Sequence, residues 1–321
     1  MKELTPEAAK RGGTSEVTAA SPVSSLQRQP SDSWPRITLV TAVFNGADYL
    51  EDTIRSIVSQ EYPNLEYIIV DDGSTDNTVE IIRKYEAHLA CWFSQPNKGL
   101  YAALNAGFAH STGEIMGWLN SGDLLHVNGL SVVGSVFAAF KDVEWITGRP
   151  TGFNAQGMTV QVPPLPRWTR SRFLAGANRH IQQESTYWRR SLWDRAGGAL
   201  SEAYRAEGDF EQWVRFFRHA RLYSVDALIG GYRMHEGSLS HTNIGQYNDR
   251  CDEIVERELE SVRGGEWIKL FRRLSQRAGR IRKVRRAWRR LVMGSLYRWP
   301  GPDWPPVIEY HLDEARWILS K

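Results

Sequence analysis

Cysteine is scarce in this sequence, and long hydrophobic runs are missing from it. Only two cysteines, Cys91 and Cys251, occur among 321 residues, which is too few for a disulfide framework or a cysteine-ligated metal site. Two such thiols are typical of a reducing compartment. No stretch approaches the roughly 18 apolar residues of a membrane-spanning helix, and the first 35 residues contain no apolar signal-peptide core. We therefore expect a cytoplasmic protein.

The sequence also lacks the two glycine-rich loops that most often bind nucleotide phosphates. G-x-G-x-x-G does not follow the first predicted strand, and G-x-x-x-x-G-K-[ST] does not occur anywhere. The first predicted strand ends instead in Phe44, Asn45 and Gly46. This argues against a dehydrogenase and a P-loop NTPase. It also leaves a sugar nucleotidyltransferase, which needs a phosphate loop at this position, as a minor alternative.

Residues 1–35 are rich in Ser, Thr and Pro, and this composition predicts disorder. The rest of the chain alternates regularly between two sequence patterns. From Arg36 onward, short apolar runs alternate with amphipathic stretches of helical spacing, which predicts an α/β fold with a mostly parallel sheet. Later, "VEWITGRP" and "GMTVQV" are predicted to pair as neighbouring strands. The 13 tryptophans fit core packing, and they also fit stacking platforms.

Polar residues follow two of the predicted strands. Asp71 and Asp72 end "LEYIIVDD", while Asn120 and Asp123 end "GEIMGWLNSGD". In parallel sheets, ligands bind outside the carboxyl ends of the strands. Carboxylates there suit hydrogen bonds to a base or ribose, or a divalent cation that neutralises a diphosphate. The alternative is that these residues cap turns and helices.

Five segments, in this order, resemble family 2 glycosyltransferases, which have the GT-A fold. They are "TAVFNGADYLEDTIRSIVSQEYPNLEYIIVDDGSTDNT", "NKGLYAALNAGFAHSTGEIMGWLNSGD", "HIQQESTYWRRSLWDRAGG", "GDFEQWVRFF" and "GGYRMHEGSLS". The resemblance implies a three-layer α/β/α nucleotide-sugar-binding domain over residues 36–245. Residues 246–321 then form a helical, basic and amphipathic C-terminal extension.

The resemblance also implies roles for individual residues. Asp72 contacts the nucleotide base, Asp209 is the general base, and Glu184 faces the acceptor. Asp123 and His235 hold Mn²⁺ or Mg²⁺ at the diphosphate. The remaining residues predicted to bind the nucleotide sugar are Thr41, Phe44, Asn45, Lys98, Asn120 and Ser121.

These residues fit one reaction. Transfer from a nucleotide-diphosphate sugar needs a cationic clamp on the leaving group and a base near the acceptor hydroxyl. Direct displacement by that hydroxyl inverts the anomeric carbon. We expect an inverting hexosyltransferase that uses a UDP-sugar and a saccharide or lipid-linked acceptor, in polysaccharide or glycan biosynthesis.

The sequence departs from the family pattern at several positions. Asn120 and Gly122 stand where relatives commonly carry acids, and Asn97 and Ala102 stand where relatives often carry Asp. The loss of a carboxylate at Gly122 keeps open a binding module without catalysis.

The positive charge is concentrated near the C-terminus. Residues 266–298 contain twelve Lys or Arg and one acid, although the whole chain has a net charge of +3. Apolar residues recur there every three or four positions and form one stripe. This stripe could pack on the domain, lie on an anionic membrane surface, or belong to a nucleic-acid site. No base-reading module supports the last option, so we expect no nucleic acid. Membrane binding would place the protein on the inner face of the cell membrane.

Overall fold

A computed structural model describes residues 34–96, 99–176, 179–234, 244–262, 264–270, 272 and 304–320. The predicted disorder of residues 1–35 lies outside these residues, except for Trp34 and Pro35. Two predicted site residues, Lys98 and His235, also lie outside them.

The predicted parallel sheet is confirmed in the N-terminal half. The strands are β1 (Ile37–Val43), β2 (Leu65–Asp71), β3 (Cys91–Ser94) and β4 (Ile115–Trp118). β1 pairs in parallel with both β2 and β4, and β2 pairs in parallel with β3. All four strands therefore end at the same edge of the sheet, which we call the rim.

Three later strands extend this sheet. They are β6 (Trp145–Thr147), β9 (Thr186–Arg189) and β10 (Leu222–Ser224). Among the described residues, the sheet has seven strands in the order β10-β6-β9-β4-β1-β2-β3. β9 is antiparallel to β4 and β6. The segment that precedes β9 therefore arrives at the rim, beside the end of β4.

Helices cover both faces of the sheet, as predicted. They are α1 (Leu50–Val58), α2 (Thr78–Lys84), α3 (Leu100–Ala109), α4 (Gly129–Ala139), α5 (Arg170–Leu174), α6 (Arg190–Arg195), α7 (Gly208–His219) and α8 (Ile244–Ser261). Successive side chains of a strand point to opposite faces, so each buried strand needs apolar residues throughout. In β1, Val40 and Ala42 pack with α3 and α7, whereas Leu39 and Val43 pack with α1 and α4.

Much of the tryptophan excess lies in the core. Trp118, Trp145, Trp188 and Trp213 are each at most 2% exposed. The rings of Trp118 and Trp213 stack, with centroids 6.0 Å apart and planes 8° apart. This stack packs the middle of α7 against the end of β4, and so holds α7 near the rim.

A smaller sheet corrects one prediction. It contains β5 (Leu124–Leu125), β11 (Gly230–Arg233), β7 (Gly152–Phe153) and β8 (Thr159–Gln161), in that order. The predicted pairing of "VEWITGRP" with "GMTVQV" is wrong, because β6 joins the main sheet and β8 pairs with β7. Apolar alternation identifies a strand but carries no information about its partner.

The C-terminal region is helical only in part. α8 and residues 265–270 agree with the predicted extension over 246–321. Its last residues instead form a hairpin of β12 (Val307–His311) and β13 (Arg316–Ser320). The helical prediction for this stretch is wrong. Ile308 is fully buried and bridges to Val225 beside β10, so tertiary pairing favours the extended conformation.

The basic segment 266–298 lies mostly outside the described residues. In its described part, Trp267 is 66% exposed, whereas Arg272 is buried. The Arg272 guanidinium donates to the Leu174 carbonyl over 2.7 Å and pairs with Asp252. This arginine is therefore buried, although the sequence pattern of the segment places its basic residues outside the apolar stripe. Within the ranges given above, we find no helix with the length and apolarity to cross a bilayer.

Candidate functional site at the carboxyl ends of the strands

The turns that follow β1 and β4 are in tight contact at the rim. A Cβ atom on Gly46 would lie 2.5 Å from Val43 Cγ2 and 2.7 Å from Ser121 Oγ. Real Cβ atoms do not approach other atoms so closely, so this position requires glycine. Gly46 thereby brings the end of β1 against Ser121, as expected for residues of one site.

The chain forms a second turn between the last residue of β2 and the first residue of α2, and we call residues 71–78 the acidic turn. Asp71 is fully buried, and its Oδ2 accepts hydrogen bonds from Ser74 N (3.1 Å) and Ser94 Oγ (2.5 Å). Asp72 is partly exposed, and its amide donates to the Val43 carbonyl over 2.8 Å. Asp72 therefore lies at the rim, beside the end of β1, where the sequence predicts a base contact.

Hydrogen bonds hold the acidic turn against the end of β1. Asn45 has a φ of 49°, a left-handed conformation that asparagine tolerates better than most residues. Its backbone N–H donates to Ser74 Oγ (2.7 Å), and its side-chain Oδ1 accepts from Thr75 N (2.9 Å). Burial acts to raise the pKa of Asp76, but hydrogen bonds from Thr78 and from the Ala47 amide outweigh it and lower this pKa.

The turn after β4 explains why position 122 is glycine. Asp123 N donates to the Asn120 carbonyl over 3.1 Å, and Gly122 has a φ of 111°. A tight turn with positive φ at its third residue favours glycine. The Thr53 hydroxyl of α1 accepts from Gly122 N and donates to the Asp123 carbonyl, each over 2.9 Å. Backbone geometry therefore accounts for the missing carboxylate.

Asp123 is buried beside a second acid. It is 6% exposed, and its Oδ1 accepts from the Arg233 amide over 2.9 Å. Its carboxyl group also contacts that of Glu184, which lies in the turn Gln183–Ser185 immediately before β9. Burial raises the pKa of both acids, and the charge of Glu184 raises that of Asp123 further.

Asp209 completes a group of three acids that we call the carboxyl cluster: Asp123, Glu184 and Asp209. It is the second residue of α7, and its Oδ1 accepts from Phe210 N over 2.7 Å. Burial, aided by the charges of Glu184 and Glu207, raises its pKa to about 7 despite this hydrogen bond. Near neutral pH it can accept a proton.

Arg233 is a rim residue that the sequence analysis missed. Its side chain is 1% exposed, and its Nη1 and Nη2 each donate to Asp52 Oδ2 over 3.0 Å. Its guanidinium also lies over the Tyr49 ring, 5.0 Å from the centroid. Arg233 thus connects α1 to the strand whose amide holds Asp123. Its position inside "GGYRMH" was the available signal.

The other predicted residues differ in how they reach the rim. Phe44 is 61% exposed there. Asn120 Oδ1 and Ser121 Oγ are buried and have no hydrogen-bond partner within the described part of the chain. Thr41 is fully buried, and its hydroxyl accepts from Tyr67 OH over 3.1 Å. We therefore correct its assignment to a core residue, because β1 still runs inside the sheet at this point.

The acid pair of Asp123 and Glu184 fits part of a site for a hard divalent cation. No group of three or more His, Cys, Asp or Glu arranged to hold a metal occurs among the residues that the structure describes. The Asp123 and Glu184 carboxyls nevertheless meet with raised pKa values, and a cation between them would offset their repulsion. Oxygen donors of this kind suit Mg²⁺ or Mn²⁺.

Comparison with known proteins adds independent information. Residues 38–144 match the family model described as Glycosyl transferase family 2. An uncharacterized glycosyltransferase of Rickettsia typhi is 26% identical over 220 residues, covering 67% of this chain and 69% of the relative. An uncharacterized glycosyltransferase of Mycobacterium tuberculosis is 30% identical over 175 residues, covering 52% and 63%.

Solved structures show the same fold. TarS of S. aureus (residues 1–349), in complex with UDP-GlcNAc, superposes with a TM-score of 0.59 at 18% identity, covering 71% of this chain and 67% of that one. The mannosyltransferase PcManGT from Pyrobaculum calidifontis, in complex with GDP-Man and Mn²⁺, gives 0.53 at 16% identity and covers 85% of both chains. The sheet and its helices therefore form a GT-A fold.

Proposed function

We propose that this chain, whose residues 38–144 match the model of glycosyl transferase family 2, is an inverting hexosyltransferase with a nucleotide-diphosphate sugar as donor. The observation that carries this proposal is the carboxyl cluster at the rim. There, Asp209 has a pKa of about 7 and lies near the acid pair Asp123 and Glu184. A group that ionises near the operating pH is well suited to general base catalysis.

The rim divides into a donor part and a reacting part. The acidic turn and Asn45 bind the base and ribose, with Asp72 as the base contact. The diphosphate lies toward Asp123, next to Asn120 and Ser121. Glu184 contacts Asp123, so we assign it to the junction between donor and acceptor.

The chemical step is a single displacement. The acceptor hydroxyl oxygen attacks the anomeric carbon and passes its proton to an Asp209 carboxylate oxygen. The bond from this carbon to the diphosphate oxygen breaks, and the nucleoside diphosphate leaves with the electron pair. Attack opposite the leaving group inverts the anomeric configuration.

Asp123 and Glu184 would hold Mn²⁺ or Mg²⁺, together with the predicted ligand His235. When bound, the cation supplies positive charge that stabilises the leaving diphosphate. Without it, these two acids offer the diphosphate no positive charge, so we expect donor binding to depend on the metal.

The donor and acceptor are proposed by class. TarS was crystallised with UDP-GlcNAc and PcManGT with GDP-Man, which supports a nucleotide sugar. We retain a UDP-sugar as the expected donor and a saccharide or lipid-linked acceptor in polysaccharide or glycan synthesis. Membrane contact through residues 266–298 stays a prediction.

Thermal-shift measurements with UDP-, GDP- and dTDP-sugars, with and without Mn²⁺, test the proposal. At about 100 times Kd, a ligand stabilises the folded state by about 2.7 kcal/mol, which raises the Tm measurably. We expect one donor class to shift the Tm of the wild-type protein in a Mn²⁺-dependent manner. Asp123→Ala should abolish this shift, whereas Asp142→Ala, at an exposed carboxylate before β6, should retain it. The absence of a shift with every donor would refute the proposal.

A further inference from the structure

Two amide side chains connect the end of β4 to the turn that precedes β9. Gln183 is 6% exposed, and its Nε2 donates to the Trp118 carbonyl. Its Oε1 accepts from Asn120 Nδ2 over 3.3 Å. The next residue, Glu184, contacts Asp123. Two adjacent side chains of one turn therefore hold the start and the end of segment 118–123.

The Trp118 carbonyl fixes the orientation of both amides. A carbonyl oxygen only accepts hydrogen bonds, so the Gln183 group facing it must be the NH₂ group. The Gln183 oxygen then faces position 120 and requires a donor there. Asn120 satisfies this requirement with Nδ2, but an ionised carboxylate at the same position would not, because it has no hydrogen to donate.

From this geometry, we infer that Gln183 is a positioning residue that selects an amide over a carboxylate at position 120 and thereby sets the place of Asp123. The link to Asp123 is direct, because the Asn120 carbonyl accepts from the Asp123 amide. This inference rests on the proposed function and extends it. It accounts for the amide at position 120, and it places no carboxylate against the Gln183 oxygen.

A matched pair of variants tests the positioning role. Gln183→Met removes both hydrogen bonds at similar side-chain volume. Gln182→Met is the control, because the Gln182 side chain accepts from Thr151 N (2.8 Å), donates to Thr151 O (2.6 Å) and accepts from Ser185 Oγ (3.5 Å), and none of these partners belongs to segment 118–123. Isothermal titration uses whichever of UDP, GDP and dTDP binds the wild-type protein in Mn²⁺. We expect Gln183→Met to raise Kd by about tenfold, the factor that corresponds to about 1.4 kcal/mol. We expect Gln182→Met to change it by less than about twofold.

Kinetics separate positioning from general loss of structure. In Gln183→Met, the donor KM should rise by about tenfold while kcat stays within about threefold of wild type, because Asp209 is untouched. A purely structural role would lower the active fraction and therefore kcat, with KM unchanged. The same result for Gln183→Met and Gln182→Met would overturn the inference.

A charge exchange tests the selection of an amide. Asn120→Asp should weaken nucleoside diphosphate binding by about tenfold or more, because its carboxylate faces the Gln183 oxygen. Adding Gln183→Lys supplies donors to both the Trp118 carbonyl and the new carboxylate, and should restore Kd to within about threefold. Wild-type affinity in Asn120→Asp, or a double variant no better than Asn120→Asp alone, contradicts the inference. If the wild-type protein binds none of UDP, GDP and dTDP, the proposed function fails instead.

Discussion

The acidic turn and the carboxyl cluster both contain acids, but their surroundings shift the pKa of Asp76 in the acidic turn and the pKa of the cluster acids in opposite directions. In the acidic turn, nearby amides and hydroxyls donate to the carboxylates, and the pKa of Asp76 is lowered. In the carboxyl cluster, burial raises the pKa of Asp123, Glu184 and Asp209, and the charge of Glu184 raises the pKa of Asp123 and Asp209 further. Carboxylates that are already solvated by the protein suit recognition of a ligand. Buried acids with raised pKa values suit proton transfer near neutral pH, and a bound cation would stabilise their ionised form.

The largest expected effect comes from removing the proton acceptor of the cluster. Asp209→Asn should lower kcat by about 10²–10⁴-fold, because the amide cannot take up the acceptor proton. Nucleoside diphosphate binding should remain near normal. Turnover and titration together check this. The control is Glu211→Gln, which alters a carboxylate of the same helix that binds Arg215. An Asp209→Asn enzyme with wild-type turnover would remove Asp209 from the mechanism.

A second experiment measures how strongly the environment perturbs Asp209. Because the active form is the carboxylate and its pKa is about 7, kcat/KM should rise with pH and level off above neutrality. Below the midpoint, the rate should fall about tenfold for each pH unit, as for any single ionisation. The profile needs a circular-dichroism check that the protein stays folded at each pH. A midpoint near 4 would show that Asp209 ionises like an ordinary carboxyl group. The pKa of Asp209 would then not distinguish the carboxyl cluster from the acidic turn.

The smallest effect is expected in the acidic turn. The lowered pKa of Asp76 means that its carboxylate stabilises the folded state above its usual value of 3.8, and that this stabilisation is lost as pH falls through the folded value. Asp76→Asn should therefore lower the Tm by about 1–4 °C at pH 7, and the difference should shrink toward pH 3. Asp142→Asn, at an exposed position, provides the reference. A Tm difference that grows on acidification would contradict the assignment.

Local patterns predicted the N-terminal half of the fold well. The apolar runs and helical spacings from Arg36 to Asp123 are observed as β1–β4 and α1–α3, and β1, β2 and β3 lie side by side in the order in which they follow one another in the sequence. The same reasoning failed for β6, whose partners β9 and β10 are remote in sequence, and it gave β8 the wrong partner, because β8 pairs with the short strand β7. It failed again for β12 and β13, which pair with each other as a hairpin, and Ile308 of β12 also bridges to Val225.

The candidate site was predictable to the same extent. Asp72, Asn45 and Asp123 follow strands, and the end of a strand can be located from the sequence. Thr41 was assigned wrongly because it lies two residues before the end of β1, where the strand is still buried in the sheet. The sequence does not locate the end of a strand that closely. Arg233 and Gln183 were missed because their roles depend on partners, Asp52 and Asn120, that only the folded chain brings near.

The sequence by itself determined which residues end the parallel strands and that many of them are acidic, since strand periodicity and residue identity are local properties. Only the tertiary structure decided which acids meet. The Arg233 amide reaches Asp123 across 110 positions, and Glu184 arrives because β9 runs antiparallel to β4. The charge state of a carboxyl group depends on its distance from water and from other charges, and these distances exist only once the chain has folded.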